Sequence, residues 1–233
     1  MKRLIVNADD FGHSEGVNRG IAEAHRDGIV TSTSLMVDEP AAAHAVPIGE
    51  RLPDLSIGLH ACITDELARP LVDLTAEGAL RAELERQLER FRELMGREPD
   101  HLDSHHNVHL LPEALPAFRA AAAERGLWLR AQPPVRYFSG FYGQWDGESH
   151  LEHIAPSSLM EMLEREVGEG ITELGCHPGY ADPELGSTYA LERETELRTL
   201  CDPRVRARID ELGIELVDSR AAREGVTTTG SRA

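Results

Sequence analysis

Two adjacent carboxylates, Asp9 and Asp10, close the apolar run LIVNADD near the start of the chain. Side by side at the end of a strand they repel each other and lose solvent, so a metal ion or a shared proton is needed to compensate. Histidines are the natural partners. His60 lies in IGLHACI, His177 in LGCHPGY, and His101, His105, His106 and His109 crowd HLDSHHNVH around Asp103. An Asp/His/His donor set with open positions for water or substrate defines a hydrolytic metal site. Only one aspartate need ligate; the other can accept a proton from the attacking water as general base. His177, followed by Pro178 and Gly179, would stand across from that base as general acid to a leaving amine. Arg130, in LWLRAQ, either makes a structural ion pair or orients the base. Which histidine of the HLDSHHNVH tract ligates is left open, because a strand end followed by a loop splays residues that a helix would align.

Positioning these groups requires elements that bring them to one place. Short β-branched runs alternate with longer stretches of helical period, which predicts βα units and a parallel sheet. Strands are expected at RLIVNADD, IVTSTSLMV, LSIGLHACI, HLDSHH, LWLRAQ, ITELGCHPGY and IELVDSR. Helices are expected between them, the first capped by Ser14 and stopped by Gly28, the second interrupted near Pro47, and the clearest, LRAELERQLERFRELMG, ended by Gly96. LERETELRTLCDPRVRARIDELG reads as helical, and the aromatic segment RYFSGFYGQW as a rim over the site or ordinary packing. In open and closed α/β sheets alike, sites gather at the C-terminal strand ends. Asp9 and Asp10, His60, the His105 tract, Arg130 and His177 all fall there.

The 233 residues, 41% hydrophobic and 28% charged, suit a single catalytic domain over residues 1–222, with a disordered tail over 223–233. A net charge of −17 argues against a nucleic-acid or anionic-membrane surface. No apolar run is long enough for a membrane span. The N-terminus reaches acids too soon for a signal peptide. Cys62, Cys176 and Cys201 are odd in number and widely spaced, as reduced thiols in a cytoplasmic protein would be.

LIVNADDFG, GIVTSTSLMV, IGLH, HLDSHHNVH, FYG and CHPGY occur in the order and spacing of the YdjC-like carbohydrate deacetylases, the chitooligosaccharide and hopanoid-biosynthesis type, and the chain resembles that family from Lys2 to about Asp218. The resemblance implies a deformed (β/α) barrel of about seven parallel strands, TIM-barrel-like. It also implies metal-dependent removal of an acetyl group from an N-acetylated sugar, and suggests a homodimer. Carried over motif by motif, Asp9 looks like the base, Asp10, His60 and His105 like the ligands of one divalent ion (zinc or magnesium), and His177 like the acid. Two nitrogen donors would be unusual for magnesium. Asn107 stands where the family often has a histidine, and the stretch between Thr64 and Leu84 is shorter than in chitooligosaccharide enzymes. A 2-His-1-carboxylate iron oxygenase would share the ligands but has no need of a second aspartate or of His177. Hydrolysis of a non-sugar acylated substrate, or sugar binding without catalysis, remain as alternative readings.

Overall fold

A computed structural model of the chain describes residues 1–182 and 187–223. The expected disordered tail lies outside the described residues from 224 onward. The strands are β1 (Lys2–Phe11), β2 (Ser32–Leu35), β3 (Ser56–Ala61), β4 (His101–Ser104), β5 (Trp128–Leu129), β6 (Val135–Phe138), β7 (Gln144–Trp145), β8 (Glu148–Ser149), β9 (Gly170–Cys176) and β10 (Ile214–Leu216). The main sheet runs β5-β4-β3-β2-β1-β9-β6 with every pairing parallel, and β10 joins β1. β10 takes the first half of one β1 edge, at Lys2–Leu4, and β2 takes the second half from Asn7. The sheet curls into a half-barrel, and among the described residues its end strands β5 and β6 are not paired with each other. All seven expected strands are present. β6, inside the aromatic segment, is an eighth, and the short antiparallel hairpin β7–β8 follows it.

Strand alternation sorts the side chains by chemistry. Leu4, Val6 and Ala8 of β1, Ile57 and Leu59 of β3 and Leu174 of β9 join the main core formed with the helices. A fully buried side chain of this size contributes about 1.5–3 kcal/mol. The alternate residues meet in the curl, where Asn7, Ser34, His60, Asp103 and Glu173 are buried and hydrogen-bonded. The hydrophobic core therefore lies between sheet and helices, while much of the concave face is a polar network.

Helices α1 (Glu15–Arg26), α2 (Ala42–Glu50), α3 (Glu77–Met95), α4 (Leu115–Arg125), α5 (Pro156–Glu166), α6 (Leu191–Leu200) and α7 (Pro203–Glu211) cover the sheet. Ser14 caps α1, accepting the Val17 N–H at 3.1 Å, and α3 ends at Gly96 in the left-handed region with φ 67°. α2 continues through Pro47 where an interruption was expected. The long helical stretch after residue 190 is split instead, because Asp202 caps a new helix that opens on Pro203. The aromatic segment serves both expected roles. Phe141 is buried in the core, and Tyr142 is 39% exposed beside the site.

Candidate active site

Neighbouring residues of a regular strand point to opposite faces, so Asp9 and Asp10 should diverge. They do not. The β1–β2 register shifts between Ala8 and Phe11, and Asp10 adopts a left-handed backbone with φ 70°. Both carboxylates consequently line one cleft of about 620 Å³ at the C-terminal end of the sheet. Aspartate tolerates this conformation better than most side chains.

Asp9 is held from one side. Arg130, fully buried just past β5, donates to both its oxygens at 2.7 Å, and Asn7 Nδ2 donates to Oδ1 at 2.8 Å. The same guanidinium lies 2.8 Å from Asp103 Oδ2 and donates through Nε to Glu173 Oε1 at 2.9 Å. Burial, the largest single influence, works to raise the Asp9 and Asp103 carboxyls, but Arg130 together with His60, and His101 at Asp103, outweighs it, and both sit below the usual range. At Glu173 burial prevails over Arg130 and pushes the carboxyl up to about 6. Arg130 thus forms a buried ion-pair hub joining Asp9, Asp103 and Glu173.

Asp10 faces the imidazoles. Its Oδ1 is buried without a well-formed hydrogen bond, with His60 Nε2 at 3.3 Å and His105 Nδ1 at 3.4 Å. The other oxygen, Oδ2, accepts from Arg193 at 2.5 Å. Burial opposes ionisation of Asp10, yet Arg193 and the two histidines hold it well below the carboxylate range. The rear nitrogen of His60, Nδ1, lies 2.7 Å from Asp103 Oδ1, the carboxylate–histidine arrangement that orients metal ligands. Burial works against protonation of His60, but Asp103 and Asp10 push it up to about 10. One donor atom from each of Asp10, His60 and His105 falls within 4.8 Å of the others. Donors bound to one small divalent ion at about 2.1 Å sit roughly 3–3.5 Å apart, so this set can hold such an ion. A second triplet, Asp9, His60 and Asp103, meets the same distance criterion, but Arg130 already bonds both of its carboxylates.

The tract after β4 sorts its own histidines. Strand pairing stops at Ser104, and His106 and Asn107 take positive φ of 53°. His105 is left facing Asp10. His106 packs on the His105 ring at 3.8 Å and lies 2.9 Å from Thr64 Oγ1, and His109 turns back to Ser104 Oγ at 2.7 Å. His101 is buried on the concave face, within 2.8 Å of Ser219 Oγ. The register of the turn, absent from the sequence pattern, puts His105 beside Asp10 and turns His106 and His109 to other partners.

His177 follows β9 and lines the cleft with its side chain 25% exposed. Its loop is docked on α1: Tyr180 N–H donates to the Gly16 carbonyl, and a Cβ on Gly20 would meet Gly179 Cα at 2.6 Å. Residues of α6 secure it from the other side. Arg193 donates to Asp10 and reaches the His177 carbonyl at 3.5 Å, while Glu196 accepts the His177 backbone N–H at 2.5 Å. Sequence reasoning missed Arg193 and Glu196, along with the role of Asp103 and Glu173. Glu192, Arg193, Glu196 and Thr199 are all buried on a helix that looks solvated by composition. The available signal was the i, i+4, i+7 recurrence of Glu192, Glu196 and Thr199, which is polar and so resembles an exposed face.

Comparison with known proteins identifies the family and the fold. A family model described as YdjC-like protein matches residues 3–211. The carbohydrate deacetylase of Geobacillus stearothermophilus is 37% identical, with 93% of this chain and 96% of that protein covered. The chitooligosaccharide deacetylase of Salmonella schwarzengrund (strain CVM19633) is 36% identical, with 90% and 95% covered. Among solved structures, a protein of Enterococcus faecalis V583, provisionally described as a cellobiose-phosphate cleavage protein, superposes with a TM-score of 0.79 at 28% identity, covering 94% of this chain and 98% of that one. A family 4 carbohydrate esterase from Streptomyces lividans shares the fold at a TM-score of 0.60 and 12% identity, with 95% of each chain covered. On the extent of the family match and of these relatives, the chain belongs to the YdjC-like protein family.

Proposed function

We propose that the protein is a metal-dependent deacetylase that hydrolyses the acetamide of an N-acetylated sugar to acetate and a free amine, within one catalytic domain spanning residues 1–222. The observation that carries this reading is the bare Oδ1 of Asp10 between two imidazole nitrogens, in a cleft that also exposes Asp9 and His177. Asp10, His60 and His105 would hold one divalent ion. When bound, the ion would supply Lewis-acid polarisation of the acetyl carbonyl and acidify the attacking water. Imidazole with carboxylate favours zinc over magnesium. The names of the curated relatives point to a carbohydrate substrate.

This chain's own residues handle the protons. Asp9, ionised and fixed by Arg130, accepts the proton that the attacking water gives up. Arg130 keeps the carboxylate oriented, and its grip also makes Asp9 a weak base, which would suit a water acidified by the ion. His177, across the cleft, delivers a proton to the nitrogen as the C–N bond breaks. Water thus gives its hydroxyl to the acetyl carbon, Asp9 takes its other proton, His177 supplies one proton to the departing amine, and exchange with solvent resets both side chains as the acetic acid formed ionises to acetate. Tyr142 exposes an edge of the cleft on which a sugar ring can rest, stacked behind on Tyr189 at 4.6 Å between centroids.

Hydrolysis of a non-sugar acyl group would use the same machinery, so the substrate screen decides between the two. Acetate release from N-acetylglucosamine and short chitooligosaccharides is to be followed in metal-stripped protein, with zinc, magnesium or neither restored, beside Asp9→Asn. Metal-dependent release that vanishes in the variant is expected. Absence of release with every metal, from folded protein, would sink the reading for these sugars. Among the described residues no helix is long and apolar enough to cross a membrane.

A further inference from the structure

Glu196 is fully buried on α6, where an ionisable side chain is costly unless it holds something in place. Its Oε2 accepts the His177 backbone N–H and its Oε1 accepts the Tyr189 hydroxyl, each at 2.5 Å. The Tyr189 hydroxyl in turn accepts the Gly143 backbone N–H at 2.8 Å, which ties the pair to the aromatic rim. His177 Nδ1 is buried with no hydrogen bond and lies 3.9 Å from Glu196 Oε1. That is about 1 Å beyond hydrogen-bond length, within reach of a small side-chain movement.

We propose that Glu196 is the positioning residue of His177: its carboxyl group, steadied by Tyr189, faces Nδ1 so that an N–H at Nε2 is presented to the cleft. This rests on the reading of His177 as the proton donor. One proton shared by the pair suffices. An imidazolium beside a carboxylate, and a neutral imidazole accepting at Nδ1 from a carboxylic acid, both leave N–H at Nε2. Burial pushes Glu196 up to about 8 and His177 down to about 4, so burial favours the second form in the resting site. The other groups acting on the pair are Arg193 on α6, Asp9 and Asp10 on β1, His60 on β3, Tyr142 and Tyr189 on the rim, and the Cys176 thiol.

The test compares zinc-loaded wild type, Glu196→Gln, Glu196→Asp and Tyr189→Phe. Readouts are kcat and KM for acetate release across pH, zinc content, and ¹⁵N NMR of the His177 ring. In Glu196→Gln, kcat should fall on the order of 100-fold while KM stays within about threefold and zinc content is unchanged. The alkaline limb of kcat should move to lower pH, because the pair no longer retains its proton. Glu196→Asp should recover part of the rate, and the NMR signals should show His177 losing its single Nε2–H form in Glu196→Gln. An unchanged pH profile and ring tautomer would overturn the proposal, as would a rate loss that merely follows lost zinc. If Glu196→Gln does not fold, Tyr189→Phe carries the test, with a smaller limb shift in the same direction expected and an unmoved limb refuting it. If wild type releases no acetate, the deacetylase reading fails, and the tautomer comparison still decides the role of Glu196.

Discussion

Arg130→Met is the substitution that asks most of this site. It replaces a fully buried guanidinium that serves Asp9, Asp103 and Glu173 with an apolar chain of similar length. Breaking one buried pair by deleting a partner typically costs about 3–5 kcal/mol, since the remaining charge is stranded. Three carboxylates lose one partner here, and the losses are not additive because protonation relieves them together. A cost of about 4 kcal/mol at neutral pH is the expected figure, a large part of the roughly 5–15 kcal/mol that keeps a domain folded. With a urea m-value of roughly 3 kcal/mol/M, that moves the midpoint down by about 1.3 M. The pH dependence is the sharper part. In wild type Arg130 holds Asp9 and Asp103 below their unfolded values, so this stabilisation is present above about pH 4 and is lost as pH falls through the lower folded values. Without Arg130, burial raises both carboxyls, and the folded variant takes up protons already on the way from pH 7.5 to 5. The gap between variant and wild type should therefore narrow over that range. Urea melts of the metal-free proteins at several pH values measure it, with no bound ion adding its own stabilisation. A loss under about 1 kcal/mol, or a gap that stays constant or widens toward pH 5, would refute this account of Arg130.

Metal binding should expel a proton: His60, pushed up to about 10 without the ion, must be neutral to ligate, so titrations with zinc at pH 7.5 in buffers of different ionisation enthalpy should show close to one proton released. Asp10→Asn should fold, because asparagine accepts the left-handed backbone, yet zinc affinity measured with a competing chelator should fall by at least about 100-fold. Gly20→Ala places a methyl 2.6 Å from Gly179 Cα, against backbone; a loss of about 1–3 kcal/mol in urea melts and a lower kcat with little change in zinc affinity are expected, as the His177 loop shifts.

The reach of the sequence can be judged residue by residue. Alternating β-branched and helical runs announced seven of the eight main-sheet strands, and the rule that sites gather at strand ends collected Asp9, Asp10, His60, His105 and His177 in one cleft, with Arg130 buried behind Asp9. β6 was hidden because its four residues, VRYF, sit among prolines, glycines and aromatics that read as a loop. The three carboxylates on Arg130 were illegible as a set, since the partners lie on three strands distant in sequence and only the curl of the sheet unites them. Arg193 and Glu196 were illegible for another reason. A charged face buried against a polar cleft has the periodicity of a solvated one, and only the environment distinguishes them.

The kink at the end of β1 has a wider meaning. A strand counts its residues in two frames, one for each face, and a doublet such as Asp9–Asp10 belongs to both. One left-handed residue changes the parity of the count, so that neighbours in the chain become neighbours in the same chamber. The two acids are thereby wired to different supports, Asp9 to Arg130 and Asp10 to Arg193, though a single peptide bond separates them. Their affinities for protons and cations can then be tuned by distant substitutions on separate elements, without touching either acid. By the same count, an inserted or deleted residue between Val6 and Asp10 would hand one acid to the apolar layer.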